Sequence, residues 1–225
     1  MKKKVGIHQA NYIPWPGYFN KIKNSDVFVF LDHVDYVKND FMNRNKIKTP
    51  NGWCYLTIPI ERIFYRNHFN TVLLPKDNTW AEKHWVSIEA NYKKSPYFEA
   101  YQDFFLRSYS LLPKTLEEFN INIIMYIMQQ LDIDTEIVKS SDLKLDTSLT
   151  KTDLLIETAR KVGASTYISG EGGSNYLELQ KFRDIKVEFQ KFTLSRYNQQ
   201  FGEFVPNLSI IDLLFNEGEN SKNFI

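Results

Sequence analysis

The chain has 225 residues, with 28 Lys and Arg against 27 Asp and Glu, and 43% of its residues are hydrophobic. That length buries roughly 70% of the unfolded chain's surface, enough for one large or two small cores, with one compact domain expected, while the balanced charge disfavours a general nucleic-acid role, which needs a basic excess. The single cysteine, Cys54, cannot close an internal disulfide, which points to a reducing compartment; Lys2 to Lys4 lead only into Val5, Gly6 and Ile7, and no apolar run approaches the ~18 residues of a membrane span, so a cytoplasmic protein is expected.

The opening unit reads as a strand near Lys4 to Gln9, a loop, a helix near Pro16 to Asn24 and a strand from Val27 to Leu31. The loop concentrates His8, Gln9, Asn11, Tyr12, Trp15 and Tyr18, and Pro14, Pro16 and Gly17 restrict its conformations. A strand ending at His8 and Gln9 delivers both to the carboxyl edge of a sheet, where open α/β sheets bind ligands. These six residues are candidate site residues, with His8 a candidate base. Asp32 follows the second strand, before His33 and Asp35. It is a catalytic candidate, placed to orient a base, a hydroxyl or a metal, although acidic residues also begin loops and cap helices.

The middle of the chain has a different texture. In Asn43-Arg-Asn-Lys-Ile-Lys48, extended backbone would put Arg44, Lys46 and Lys48 on one face, suited to a pyrophosphate, with Asn43 and Asn45 on the other. A charged edge strand is the competing reading. Trp53 to Ile60 and Thr71 to Leu74 read as strands, and Trp80 to Tyr92 and Leu116 to Leu131 as helices. On the first helix Trp80 and His84 share a face, with Lys83 on the neighbouring flank. His84 is a second candidate proton carrier; with no partner at His-x-x-x-His spacing, no metal is expected. The aromatic stretch Tyr92 to Tyr109 reads as a lid or a packing layer. Residues from about 33 to 134 form an insertion, and no Gly/Ser-rich linker divides the chain, so residues 1–225 are expected to be one α/β domain.

The closing unit runs through a strand at Glu136 to Val138, a helix from Lys151 to Val162 stopped by Gly163, a strand from Thr166 to Ser169, a helix from Asn175 to Phe182 and a strand from Val187 to Phe189. With the opening unit it predicts a mostly parallel sheet flanked by helices, built from residues of about 4–32 and 135–192. The glycine-rich turn contributes Ser169, Gly170, Glu171 and Tyr176 as binding candidates. Its glycines permit close backbone approach, and a helix starting near Asn175 would hold an anion. It carries neither the P-loop pattern nor the dinucleotide fingerprint. The expectation is that this loop and the loop from His8 to Tyr18 lie side by side at a switch point of the sheet.

Taken together, the run Ile7 to Phe19, Asp26-Val-Phe-Val, Asp32, Asn43 to Lys48, Lys83-His84, Tyr167-Ile-Ser-Gly170 and Leu208 to Asn216 resembles the WbqC-like proteins over nearly the whole chain. Ala10 stands where that pattern usually has proline. The resemblance implies an association with bacterial O-antigen, lipopolysaccharide and other surface-polysaccharide synthesis, and glycyl or other aminoacyl transfer to amino sugars. The opening strand, turn, helix and strand are also similar in layout to nucleotidyltransferase-like enzymes that activate carboxylates with ATP. Trp15-Pro-Gly-Tyr18 lacks both histidines of their His-x-Gly-His turn, so ATP binding does not carry over.

Amide formation requires an activated carboxylate, supplied by ATP or by a preformed acyl or aminoacyl donor. No serine or cysteine nucleophile is evident, since Cys54 has no clear histidine partner; direct attack by a sugar amine is simpler. The expected activity is therefore N-acyl (aminoacyl) transfer to a nucleotide-linked amino sugar, with a homodimer admitted. His8 or His84 would serve as base, Arg44, Lys46 and Lys48 would hold the diphosphate, and Gln9, Asn11, Asn43 and Asn45 would read hydroxyls or polarise a carbonyl. The alternatives are an ATP-dependent amide ligase using an acyl-adenylate, with Ser169 to Tyr176 near the phosphates, and a non-catalytic sugar-nucleotide binding protein.

Overall fold

Runs of apolar, β-branched and aromatic residues separated by amphipathic stretches give, in chain order, β1 (Lys4–His8), α1 (Pro16–Lys23), β2 (Val27–Phe30), β3 (Arg44–Thr49), β4 (Gly52–Thr57), α2 (Thr79–Tyr92), α3 (Phe98–Ser110), α4 (Leu116–Gln130), β5 (Glu136–Lys139), α5 (Lys151–Lys161), β6 (Thr166–Ser169), β7 (Lys186–Phe189) and α6 (Ile210–Glu217). The computed structural model describes residues 2–146 and 148–225. The chain forms two units: one of residues up to Gln9, Gly17–His33 and Ile133–Thr193, the other of Ala10–Pro16, Val34–Asp132 and Leu194–Ile225.

The first unit holds a five-stranded parallel sheet in the order β5-β2-β1-β6-β7. Every residue of β2 and β6 is buried, as befits parallel strands covered on both faces. The chain steps from β1 to β2 and then β5 on one side, and places β6 and β7 on the other. The order therefore reverses between β1 and β6, paired from Lys4↔Thr166 to Gly6↔Ile168. His8 and Ser169 end these two strands at the same edge, which is the expected switch point. Gly6 is needed here: a Cβ would come within 2.6 Å of Ser25 Oγ and 2.8 Å of the Phe28 ring. Gly163, at φ +69°, ends α5 as its position predicts.

In the second unit β3 and β4 form an antiparallel pair from Arg44↔Thr57 to Thr49↔Gly52, with Gly52 at φ +107° at its turn. Helices α2, α3, α4 and α6 bury an aromatic core. Phe215 lies with its ring centroid 5.2 Å from Tyr92, 5.2 Å from Phe98 and 5.6 Å from Phe105. The stretch from Tyr92 to Tyr109 is thus a packing layer rather than a lid, because Phe98, Tyr101, Phe105 and Tyr109 fall on one face of α3 and are buried.

Two expected elements are corrected. Thr71 to Leu74 is not a strand: Phe69–Thr71 is a 3-10 turn, and Leu73 makes only an isolated bridge to Thr115. Val72 and Leu74 are buried without a neighbouring strand to extend a ladder. Asn175 to Phe182 is not an α-helix but 3-10 turns at Glu171–Asn175 and Leu179–Lys181, since the adjacent glycines are poor helix formers. The helix start expected to hold an anion near Asn175 is therefore absent. Among the described residues no helix is long and apolar enough to cross a membrane.

Candidate functional site

At the switch point of the first unit, His8 Nδ1 lies 3.1 Å from the Gln9 carbonyl. A carbonyl can only accept, so Nδ1 carries the proton and Nε2 the lone pair. Tyr18 sets its edge against the imidazole at 5.3 Å and donates its hydroxyl to the same carbonyl at 2.8 Å. Burial, with a smaller contribution from the nearby Lys21 charge, lowers the His8 pKa to about 4 despite its hydrogen bond to the Gln9 carbonyl. The side chain is neutral at pH 7 and keeps one nitrogen without a partner among the described residues.

Ser169 is fully buried at the end of β6 and donates to the Gly170 carbonyl at 3.1 Å. A Cβ at Gly173 would come within 2.0 Å of Ser169 Oγ, so the turn folds onto this serine only because residue 173 is glycine. Gly170 is half-buried, while Glu171 and Tyr176 are exposed.

Asp32 arrives at the same edge with both oxygens engaged. Oδ1 accepts from Ser140 Oγ at 2.7 Å and the Ser141 N–H at 2.8 Å, and Oδ2 accepts from Ser141 Oγ at 2.5 Å. It therefore caps the 3-10 turn Ser140–Leu143, and His33 Nδ1 joins at 2.5 Å from Ser140 Oγ.

The remaining candidates belong to the second unit. His84 Nε2 donates to the Thr57 carbonyl at 3.2 Å, and Nδ1 accepts from the Tyr12 hydroxyl at 2.8 Å. The Tyr109 hydroxyl lies 2.5 Å from that of Tyr12. Trp80 packs its edge on His84 at 5.3 Å, and burial lowers the His84 pKa to about 4 despite the bond to Thr57. This imidazole is neutral with both nitrogens used. Lys83 is exposed on the outer side of α2.

Of the four amides expected to read a sugar, Asn43 and Asn45 fasten loops. Asn43 Nδ2 donates to the Ile58 carbonyl at 2.8 Å. Asn45 Nδ2 donates to Tyr12 and Ile13 at 3.2 Å and 2.9 Å, and its Oδ1 accepts from the Lys46 N–H at 2.8 Å. Asn11 is buried and Trp15 half-buried. Arg44, Lys46 and Lys48 do alternate onto one face of β3, but Lys48 is buried and gives its ammonium to Gln199 Oε1 at 3.3 Å and to the Glu203 carbonyl. The Arg44 guanidinium lies 4.5 Å from the Tyr55 ring and the Lys46 ammonium 4.2 Å from that of Trp53. Trp53 and Tyr55, 44% and 38% exposed, were legible only as strand residues; the register that puts them opposite Lys48 and Lys46 adds them to this face.

One group gave no signal in the sequence. Lys21 on α1 is 4% exposed, and its Nζ donates to the Ile7 carbonyl of β1 at 2.8 Å. It also lies 5.8 Å from the Tyr167 ring of β6, so it reaches both strands of the switch point. Burial lowers its pKa to about 7. Among the described residues no group of three or more His, Cys, Asp or Glu could hold a metal ion.

The WbqC-like protein family matches residues 9–224 of this chain. An uncharacterized protein of Mycobacterium tuberculosis, Rv1507c, is 33% identical over 235 aligned residues, covering 99% of this chain and 97% of its own length. No solved structure matches the chain.

Proposed function

Because this chain belongs to the WbqC-like protein family, we propose that it transfers an acyl or aminoacyl group to the amine of a nucleotide-linked amino sugar in bacterial surface-polysaccharide synthesis. The observation that carries this reading is the free Nε2 of a neutral His8 at the carboxyl end of β1, beside the switch point between β1 and β6. A ligand seated there meets a lone pair held in one tautomer.

In the proposed step His8 Nε2 takes a proton from the sugar ammonium. The amine nitrogen then bonds the acyl carbon, and the bond from that carbon to the donor's leaving group breaks, the leaving group departing with its electron pair and the amine's second proton. A base with a pKa of about 4 is weak, but a bound diphosphate brings negative charge that favours imidazolium and moves the pKa toward the working pH. Gln9 and Ser169 line the same edge as orienting groups. Asp32, both of whose oxygens accept from Ser140 and Ser141, supports the strand end.

Incubating the protein with UDP- and dTDP-linked amino sugars and with acyl-CoA or aminoacyl donors, followed by mass spectrometry, tests the activity directly. An amide of the sugar nucleotide that fails to form with His8→Asn supports the proposal. A second reading, non-catalytic binding of the sugar nucleotide, is favoured by one observation: Asp32 and His84 have no atom to spare, which leaves His8 alone among the three catalytic candidates. Tight binding with no amide from any donor would select it.

A further inference from the structure

Beside α1 lies a cavity of about 300 Å³ lined by Asn20, Lys21, Ile168, Glu188, Gln190 and Lys191, among others. Its floor is fixed, because Gln190 Nε2 donates both to the Gly17 carbonyl and to Asn20 Oδ1 at 2.7 Å. That leaves the Asn20 amide nitrogen to donate. The one carboxylate in the lining, Glu188, is neutralised by Lys4 at 3.0 Å and Lys186 at 2.8 Å.

Lys21 is the anomaly. An ammonium has three donors, and here one is spent on the Ile7 carbonyl while no carboxylate among the described residues lies within ion-pair distance. Burying a cation with one neutral acceptor is costly unless a counter-ion completes it. The cavity wall is formed in part by Lys21, by Asn20 with its donor amide and by a second lysine, Lys191, with no uncompensated negative charge in the lining. Its size suits a small polar group.

We propose that this cavity binds a phosphate or diphosphate group, with the Lys21 ammonium as its buried counter-ion and Asn20 and Lys191 as further donors. The lowered pKa of about 7 is what burial imposes on Lys21; an anion about 3 Å away restores the charged form. The groups that face Lys21 are His8 and Lys4 on β1, Tyr167 on β6 and Glu188 on β7, and none supplies a free negative charge at pH 7. The inference goes beyond acyl transfer and does not rest on it. Inorganic pyrophosphate, which has no amine to acylate, is accordingly the probe.

Calorimetry with pyrophosphate should show binding to the wild-type chain and a loss of about tenfold or more in Lys21→Met, the effect of removing one charge-assisted bond in a sheltered site. No binding by the wild type, equal affinity in Lys21→Met, or a loss seen in Arg44→Ala instead would each overturn the assignment. If Lys21→Met does not fold, acetic anhydride labelling of the wild type read by peptide mass spectrometry decides. Saturating pyrophosphate should slow Lys21 acetylation about fivefold relative to the exposed Lys93, and an unchanged rate overturns the site. Failure of the acyl-transfer assay leaves these measurements intact, so the two proposals fall separately.

Discussion

Each unit pairs a buried lysine with a histidine, His84 buried and His8 half-buried, and the contrast between the pairs is instructive. In the second unit His84 spends both nitrogens on Tyr12 and Thr57, and Lys48 finds Gln199 and Glu203. In the first, His8 spends one nitrogen on Gln9 and Lys21 one donor on Ile7. Both imidazoles are pushed to about 4 by burial, so a displaced pKa does not separate them. What separates them is the valence left over. His84 and Lys48 lie where neighbouring backbone supplies acceptors, whereas a parallel sheet stops at its carboxyl edge with side chains facing outward.

The largest effect that would break this contrast is on turnover. His8→Asn should lower kcat by about 10²- to 10⁴-fold with KM for the sugar nucleotide nearly unchanged, the signature of a lost general base. Steady-state kinetics on the folded variant would read it. A comparable loss in His84→Gln with stability intact would erase the distinction.

Stability should show the reverse order. His84→Ala removes a ring packed by Trp80 and one partner of the Tyr12 hydroxyl, which keeps Tyr109, a loss of about 2 to 4 kcal/mol from the cavity and the lost hydrogen bond together. His8→Ala, at a half-buried strand end, should cost less than about 1 kcal/mol. Urea unfolding of the two variants compares them, and equal midpoints would mean that His84 is not the structural residue its bonds imply.

The sequence made one of these regions more legible than the other. The strands of the sheet, Gly163 and the placement of His8 at a carboxyl edge follow from local pattern, because parallel strands are short continuous apolar runs ended by turn residues. Bonding partners do not follow. Asn43, Asn45, Lys48 and Asp32 have the residue types of a sugar and phosphate site, yet their partners lie in Ile58, Tyr12, Glu203 and Ser140, distant in sequence and fixed only by tertiary packing. Lys21 is the converse. Phe19 and Ile22 set the inward face of α1, both fully buried, and the four-residue spacing between Gly17 and Lys21 carries no mark that tells Lys21 from the exposed Lys23. Gly172 and Gly173 fall in the 3-10 turn Glu171–Asn175 that precedes the stretch to Phe182, which itself has no glycine, and the apolar run Leu208 to Asn216 that carries the family resemblance contains most of α6.

Acid should act on both units. Below pH 6.5 an unfolded imidazole takes up a proton that the folded His8 or His84 refuses until about pH 4. The unfolded state then binds more protons, so stability is full above pH 6.5 and falls as the pH drops toward 4, by up to about 1.4 kcal/mol per pH unit for each group. Lys21 acts in another window: its folded pKa of about 7 lies below the 10.5 of an unperturbed lysine, so its contribution makes stability rise with pH between those values. Urea midpoints measured from pH 4 to 10 should show both slopes, with the acid slope reduced in His84→Gln and the alkaline slope removed in Lys21→Met. Retention of the full alkaline slope in Lys21→Met would show that Lys21 is not the group responsible.

The smallest expected effect lies on the strand pair of the second unit. Arg44 is half-buried with its guanidinium over Tyr55, whereas Lys38 is exposed with its ammonium 5.3 Å from the Tyr65 ring. A guanidinium held flat on an aromatic ring is pre-ordered and keeps its edge donors for phosphate oxygens, while an exposed ammonium is screened and mobile. Arg44→Ala should therefore weaken sugar-nucleotide binding more than Lys38→Ala does, yet by no more than about 1 kcal/mol, because both cations remain in contact with water. Titration calorimetry at low salt resolves a difference of that size. Equal and negligible losses would make Arg44, Lys46, Trp53 and Tyr55 a self-paired charged edge, and the nucleotide's phosphates would then depend on the first unit alone.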